Sequence, residues 1–241
     1  MILLSLDFES TGLSPEKDEV TEVGAVLWST VTNRAMETAS YFVKTTKPIS
    51  EEITKLTGIS QIMIDKFGYE SQDAFDKLQD MIQQADAYVG QNVVRFDKRF
   101  YEQWAKRLGA APIEKLWIDT RTDLPGVESK HLGYMAADAG FLNPFPHNAV
   151  SDCLTVLRLV AMHPIDKVVE RAKSPVVVLK ADVSYETNDL AKQRKYRWAP
   201  SPHKMWWKDI KEMELSDEIA NAPFNVSIVK DVPVETLWYS K

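Results

Sequence analysis

Apolar and polar positions along this chain switch between a period near two and a period near 3.6, and the switches mark its elements. Met1-Ile-Leu-Leu-Ser-Leu6 is a short apolar run with no helix cap before it, which predicts a fully buried central strand. Glu22-Val-Gly-Ala-Val-Leu-Trp28 and Ala39-Ser-Tyr-Phe-Val43 predict a second and a third strand, completing a β-meander. Ser50 to Gly58 predicts a short helix, with a serine able to cap its start and a glycine to stop it. Asp73 to Gln84 places Phe75, Leu78, Met81 and Ile82 on one stripe, as an amphipathic helix does. Ala87-Tyr-Val-Gly90 predicts a fourth strand that runs into a helix containing Phe96, Phe100 and Trp104. Trp117-Ile-Asp-Thr120 predicts a fifth strand, and two helices follow near Leu132–Ala139 and Ala149–Met162. The order βββαβαβαα describes an α/β domain with a mixed five-stranded sheet flanked by helices.

The pattern changes at Lys173-Ser-Pro175, which predicts a boundary between a first domain, residues 1–173, and a small C-terminal α+β extension, residues 174–241. Val176-Val-Val-Leu179 opens a new apolar run, and Lys192 to Lys211 is rich in Lys and Arg, with Tyr196, Trp198, Trp206 and Trp207 interleaved. These features predict a strand–helix–strand module whose helix, through Leu190-Ala-Lys-Gln-Arg194, is capped by Asn188 or Asp189. Arg194, Lys195, Arg197 and Trp198 are its candidate nucleic-acid contacts, because basic side chains track phosphates and exposed aromatics stack bases. The same residues also describe a solvated basic face around tryptophans that fill a small core. From Ser216 onward the tail is acidic and then apolar, at Val226-Ser-Ile-Val229 and Leu237-Trp-Tyr239, and is expected to pack back as strands or to bind a partner.

Composition narrows the class only a little. A chain of 241 residues, 44% hydrophobic, can bury one good core and a small appendage. No secretory signal is evident at the N-terminus, and no apolar run approaches the roughly 18 residues of a membrane span, so a cytoplasmic location without membrane association is expected. The single cysteine, Cys153, excludes an internal disulfide and suits a small core position. The net charge of -6 argues against an indiscriminate grip on nucleic acid, although part of that acidity belongs to a candidate metal site.

The candidate chemistry lies in three short motifs: Asp7 and Glu9 in LDFESTGL, Asp97 in QNVVRFDKRF, and His147 and Asp152 in HNAVSD. Strand alternation puts Asp7 and Glu9 on one face of the end of the first strand. Two carboxylates there repel one another, and hard oxygen donors of this kind suit Mg²⁺ or Mn²⁺ rather than zinc. Thr11, Gly12 and Leu13 follow at once, as a hydroxyl, a permissive backbone and an apolar side chain that could hold a terminal nucleotide. His147 stands on a Pro-rich approach, Asn143-Pro-Phe-Pro146, just before a helix that carries Asp152. Histidine has the unperturbed pKa suited to a general base near neutrality. His131, His163 and His203 have no such company and read as structural or surface groups. Carboxylates that can hold two divalent ions, beside a group that can deprotonate water, describe a phosphodiester-cleaving site.

On these motifs the chain resembles the DEDDh 3′→5′ exonucleases, the family of the proofreading subunit of bacterial DNA polymerase III, RNase T and oligoribonuclease. Asp7-Phe-Glu9-Ser-Thr11-Gly12 matches its first motif, Gln91-Asn92-Val-Val-Arg-Phe96-Asp97-Lys-Arg-Phe100 its second, and His147-Asn-Ala149-Val-Ser-Asp152 its third. Gln91 departs from the family's usual histidine at that place. The resemblance covers about the first two-thirds of the chain and implies a ribonuclease H-like fold. It also implies two Mg²⁺ or Mn²⁺ ions held by Asp7, Glu9, Asp97 and Asp152, with His147 as general base. Asn92 and Thr11 would contact the 3′-terminal nucleotide, with Gly12, Leu13 and Phe96 as further substrate-binding candidates. The expected activity is release of nucleoside 5′-monophosphates from DNA 3′ ends, with a polymerase or other replication protein as a candidate partner. The alternatives are an RNA-trimming exonuclease of the same fold and a catalytically silent nucleic-acid-binding module. Discrimination between DNA and RNA rests on contacts at the 2′ position, which these motifs do not specify.

Overall fold

In the computed structural model, which describes residues 1–127, 131–230, 232, 236 and 237, the first apolar run becomes strand β1, Ile2–Ser10. It is the middle strand of a five-stranded sheet, with β2 (Val20–Ser29) and β3 (Arg34–Phe42) on one side and β4 (Ala87–Gly90) and β5 (Leu116–Asp119) on the other. β2 pairs antiparallel with β1 and β3, whereas β4 lies parallel to both β1 and β5. The sheet is therefore mixed, and both faces of β1 are buried, as an uninterrupted apolar run requires. Leu4, Leu6 and Phe8 enter one core with Phe75, Leu78 and Met81 of α3 (Ser71–Gln84) and Phe100 and Trp104 of α4 (Asp97–Arg107). Leu3 enters the other core, with Val26, Val89, Ile118 and the Cys153, Val156, Leu157 and Val160 side chains of α7 (Ala149–Val160).

Local signals decided several boundaries. Ser50 accepts from the Ile53 N–H at the start of α1 (Glu51–Thr57), and Gly58 stops that helix in the left-handed region. The structure adds three helices to the predicted order: α2 (Gln61–Phe67), α5 (Thr120–Asp123) and α8 (Ile165–Lys173). α2 and α5 bury too few apolar side chains to show a helical period, α2 burying Ile64 alone, whereas α8 has such a period in Ile165, Val168, Val169 and Ala172, all packed into the second core, and was overlooked. The remaining helix of this part is α6, Leu132–Asp138. β3 begins at Arg34, five residues before the predicted start, because this edge strand exposes most of its first half and so lacks the apolar alternation. Val43, predicted to end that strand, instead forms an isolated bridge with Tyr69.

By internal contacts the chain divides into Met1–Ala172 and Lys173–Lys241. The second unit holds a four-stranded sheet in the order β7-β8-β6-β9, from β6 (Val176–Asp182), β7 (Arg197–Ala199), β8 (Met205–Lys211) and β9 (Asn225–Val229). It also contains α9 (Asn188–Gln193) and α10 (Leu215–Asn221), so it is larger than the predicted strand–helix–strand module. The cap of α9 is also corrected: Thr187 occupies the N-cap position, and Asn188 and Asp189 lie inside the helix. The apolar tail does supply a strand at Val226–Val229, and Leu237 is buried with Val178, Met205 and Trp207. Trp238 and Tyr239 lie outside the described residues. No helix among the described residues is long and apolar enough to cross a membrane.

Candidate active site

The row of β1 side chains that starts with Leu3 on the α7 face continues through Ser5 to Asp7 and Glu9 at the strand end. The neighbouring strand sets Gly24 opposite Asp7 and Glu22 opposite Glu9. A Cβ at Gly24 would lie 2.3 Å from the Ala149 carbonyl carbon, so the glycine lets the first turn of α7 rest on the sheet. Cys153 adds a contact to the Gly24 carbonyl oxygen at 3.4 Å. Asn148 caps α7 by accepting from the Ser151 N–H (3.2 Å), an interaction that contributes about 1 kcal/mol. The helix is thereby started at the position that aims Asp152 toward the β1 carboxylates.

The Pro-rich approach closes on the same carboxylate. Asn143 donates a short hydrogen bond from its amide to Asp152 Oδ1, and the His147 N–H donates to Asp152 Oδ2 at 3.1 Å. The Asn143 amide is set in turn by the Ser151 hydroxyl, which donates to its Oδ1 at 2.8 Å. His147 has a left-handed backbone (φ 60°) and an exposed side chain. One potential donor atom each from Glu9, His147 and Asp152 lie within 4.8 Å of one another. Asp97 arrives from α4, buried, with its Oδ1 accepting from the Phe8 N–H at 2.7 Å. The four acidic residues named from the motifs and His147 therefore converge on the end of β1.

Electrostatics shows how crowded this convergence is. Burial, and then Asp97, Asp152, Glu9 and Glu22, hold the Asp7 carboxyl well above the usual range. Burial and the carboxylates of Glu22, Asp152 and Asp97 push Glu9 up to about 8. Asp97 is raised to about 8, chiefly by burial, although the Phe8 N–H pulls against that. Asp152 is also raised by burial, and hydrogen bonds from Asn143 and His147 and the charges of His147 and His131 offset part of the effect. His131 thus lies within electrostatic reach of the site, contrary to its reading as a group without company. Two buried carboxylates were also missed. Glu22 accepts from the Ala149 N–H (3.5 Å), and Asp119 accepts from the backbone N–H groups of Asn92 (2.9 Å) and Arg121 (3.0 Å). The pairing of Glu22 with Glu9 was readable only once strand register was known, and Asp119 was hidden inside an apolar strand.

These raised values have a consequence for the protein without divalent ions. A carboxyl whose folded pKa exceeds its unfolded value binds more protons when folded, so its contribution to stability is lost as pH rises. The window runs from the ordinary Glu and Asp values, 4.5 and 3.8, up to about 8. In EDTA the melting temperature is expected to fall across that window, and Glu9→Gln to flatten the fall. A level wild-type profile in EDTA would contradict the crowding.

The substrate-binding candidates are placed differently from one another. Leu13 is 86% exposed and open to a ligand. The Thr11 hydroxyl is engaged within its own loop, accepting from the Glu19 N–H (3.1 Å) and donating to Asp18 Oδ1 (3.4 Å). A Cβ at Gly12 would lie 2.5 Å from the Asp18 carboxylate, so a side chain there would displace that group from its present place. Asn92 stands at the entry to α4 with a left-handed backbone (φ 59°), and Phe96 packs its ring on Phe100 at 4.7 Å. Gln91, which replaces the family histidine, accepts from the Thr120 hydroxyl at 2.5 Å.

In the second unit, the Arg194 guanidinium makes two hydrogen bonds to Glu218 (3.1 and 2.9 Å). Arg197 is ion-paired with Asp209 and lies 4.1 Å over the Trp207 ring. Lys195 is exposed with a left-handed backbone, and Trp198 is 51% exposed beside Trp206. Two of the three basic candidates therefore serve the packing of the module.

Known proteins with related sequence or structure place this arrangement. A family model for exonucleases of the RNase T type matches residues 4–160. PolC-type DNA polymerase III of Ureaplasma parvum is 32% identical over 114 residues, 47% of this chain and 8% of that protein. The Thermotoga maritima enzyme of the same type is 28% identical over 150 residues, 61% of this chain and 10% of that protein. The matches thus span a tenth or less of those polymerases' length. Among solved structures, the nuclease domain of 3′hExo, a DEDDh family member bound to rAMP, has a TM-score of 0.58 at 21% identity, covering 67% of this chain and 90% of that one. E. coli exonuclease I in complex with a dA16 oligonucleotide has a TM-score of 0.60 at 14% identity, covering 79% of this chain and 49% of that one. These two likenesses bear on the fold, which is ribonuclease H-like, whereas the family match runs through every motif residue from Asp7 to Asp152. The chain belongs to the DEDDh family of 3′→5′ exonucleases, which are phosphodiester hydrolases.

Proposed function

We propose that this protein removes nucleoside 5′-monophosphates from the 3′ end of DNA, using Asp7, Glu9, Asp97, Asp152 and His147. The observation that carries the reading is the convergence of four carboxylates, each held above its ordinary pKa, on one strand end beside an exposed histidine. Such a cluster is unfavourable by itself and is relieved by cations with a preference for oxygen ligands. The donors fit Mg²⁺ or Mn²⁺: Asp7, Glu9, Asp97 and Asp152 would hold two ions. When bound, the ions supply Lewis acidity and stabilise charge at the attacking and leaving oxygens.

The remaining steps belong to the protein's own groups. His147 takes the proton from the attacking water, a role that suits a solvent-facing imidazole beside Glu9 and Asp152. Asn143 and the His147 N–H hold the Asp152 carboxylate in orientation. Leu13 packs on the terminal base, and Asn92 contacts the terminal phosphate or sugar. Thr11 and Gly12 shape that loop rather than reach the substrate through the Thr11 hydroxyl, and Phe96, with its ring on Phe100, is a further substrate contact from the second motif.

The polymerase relatives favour DNA as substrate and a replication protein as partner. The Lys173–Lys241 unit is proposed to be a packed module in its own right. Lys195 and Trp198 are its exposed nucleic-acid candidates, whereas phosphate binding by Arg194 or Arg197 would compete with an ion pair. The deciding experiment compares matched 5′-labelled DNA and RNA single strands in Mg²⁺, in Mn²⁺ and in EDTA. Stepwise shortening of the DNA from its 3′ end with release of mononucleotides, dependent on the ion and faster than on RNA, is expected. Faster degradation of RNA would reverse the substrate assignment, and no ion-dependent cleavage of either would remove the catalytic reading.

A further inference from the structure

The loop from Gln91 to Phe96, which carries the second motif from β4 into α4, is moulded by the turn that follows β5. Gln91 is held by the Thr120 hydroxyl (2.5 Å). The Asn92 N–H donates to Asp119 Oδ1 (2.9 Å) and the Val94 N–H to Asp119 Oδ2 (3.4 Å). Asp119 is fixed in its turn, accepting from the Arg121 N–H (3.0 Å) while its own N–H donates to Asp123 Oδ2 (2.8 Å). The last contact bears on function: Arg121 Nη1 donates to Asn92 Oδ1 at 3.0 Å.

Asn92 has four polar groups, and three of them have partners. Its backbone N–H goes to Asp119, its carbonyl accepts from the N–H groups of Arg95 and Phe96 (3.1 Å each), and its Oδ1 accepts from Arg121. Among the described residues, its Nδ2 has no partner. A guanidinium can only donate, so the amide oxygen must face Arg121 and the amide nitrogen must face away. An amide turned this way offers two donors to an incoming anion; rotated by half a turn it would offer a repelling oxygen. Asparagine also tolerates the left-handed backbone required at this position (φ 59°).

We propose that Arg121 is a positioning residue for the substrate's 3′-terminal nucleotide, fixing the Asn92 amide so that its Nδ2 donors face a phosphate oxygen. The inference rests on the reading that Asn92 contacts substrate. It adds the group that decides which face of the amide the substrate meets. Asp119 holds the backbone half of the same clamp.

The experiment is a double-mutant cycle of Arg121→Met and Asn92→Ala in the full chain, followed by steady-state cleavage of a short DNA single strand and by melting in EDTA. Arg121→Met is expected to raise KM about tenfold, in line with losing a hydrogen bond to a charged group. kcat should stay within about twofold and the melting temperature should be unchanged, a split that a loss of fold would not produce. In the Asn92→Ala background the same change should alter KM by less than about twofold, because contacting partners are not additive. Arg121→Lys, which can still donate to Oδ1, should recover part of the loss; if Arg121→Met does not fold, Arg121→Lys runs through the same cycle with a smaller effect. An undiminished Arg121 effect without Asn92 would overturn the inference, showing that the guanidinium touches substrate itself. So would an unchanged KM in Arg121→Met. A wild-type KM in Asn92→Ala would instead remove the Asn92 contact, and the inference with it, while leaving the cleavage chemistry intact.

Discussion

Asp7→Ala is expected to reduce ion-dependent release of 3′ mononucleotides by at least about 10³-fold, while the protein in EDTA melts no lower than wild type. The first half follows from the proposed role of Asp7 as an ion ligand: stabilisation of transition-state charge by bound cations is worth several kcal/mol, and about 4 kcal/mol is 10³ in rate. The second half follows from the neighbours of Asp7, since Asp97, Asp152, Glu9 and Glu22 all raise its pKa and so oppose its charge. Removing one carboxylate relieves the others. Glu9→Ala should behave alike. Asp152→Ala should lose activity equally but gain less stability, because its carboxylate also accepts from Asn143 and the His147 N–H. Cleavage of a 5′-labelled oligonucleotide, with melting in EDTA at pH 8, reads both halves. Full activity in Asp7→Ala would sink the two-ion assignment.

His147→Ala should slow turnover by roughly 10²–10⁴-fold, the range for losing a positioned base. The concentration of Mn²⁺ that gives half-maximal thermal stabilisation should barely move, because the imidazole is assigned to water rather than to the ion. Position alone leaves a second possibility, since the His147 ring shares a 4.8 Å cluster with Glu9 and Asp152. Its exposed side chain, open to solvent water, favours the general-base role. The acid limb of the pH–rate profile should change in the variant as well. Near-normal turnover at saturating Mn²⁺, with a large rise in the Mn²⁺ requirement, would make the histidine a ligand.

Much of this protein is determined by short-range pattern. β1 and β4 are legible because a strand inside the sheet must be apolar on both faces, β5 because it is almost wholly buried although it ends the sheet, and α3 because one face of it must be apolar. Ser50, Gly58 and Asn148 act on backbone groups within a few residues of themselves, so helix ends can be read locally. The motif carboxylates are legible because each stands in a fixed spacing beside a strand end or a helix start. Tertiary structure decided what depends on register and on distant partners. Glu22 joins the site only because β2 pairs with β1 so that Glu22 lies opposite Glu9. Gly24 matters only because α7 crosses it, and Asp119 because the β4–α4 loop folds over the end of β5. Arg194 and Arg197 read as candidate phosphate ligands until Glu218 and Asp209, 24 and 12 residues away, are brought against them. A side chain's type is written in the chain, but whether its charge faces solvent, substrate or another side chain depends on elements that approach from far along it.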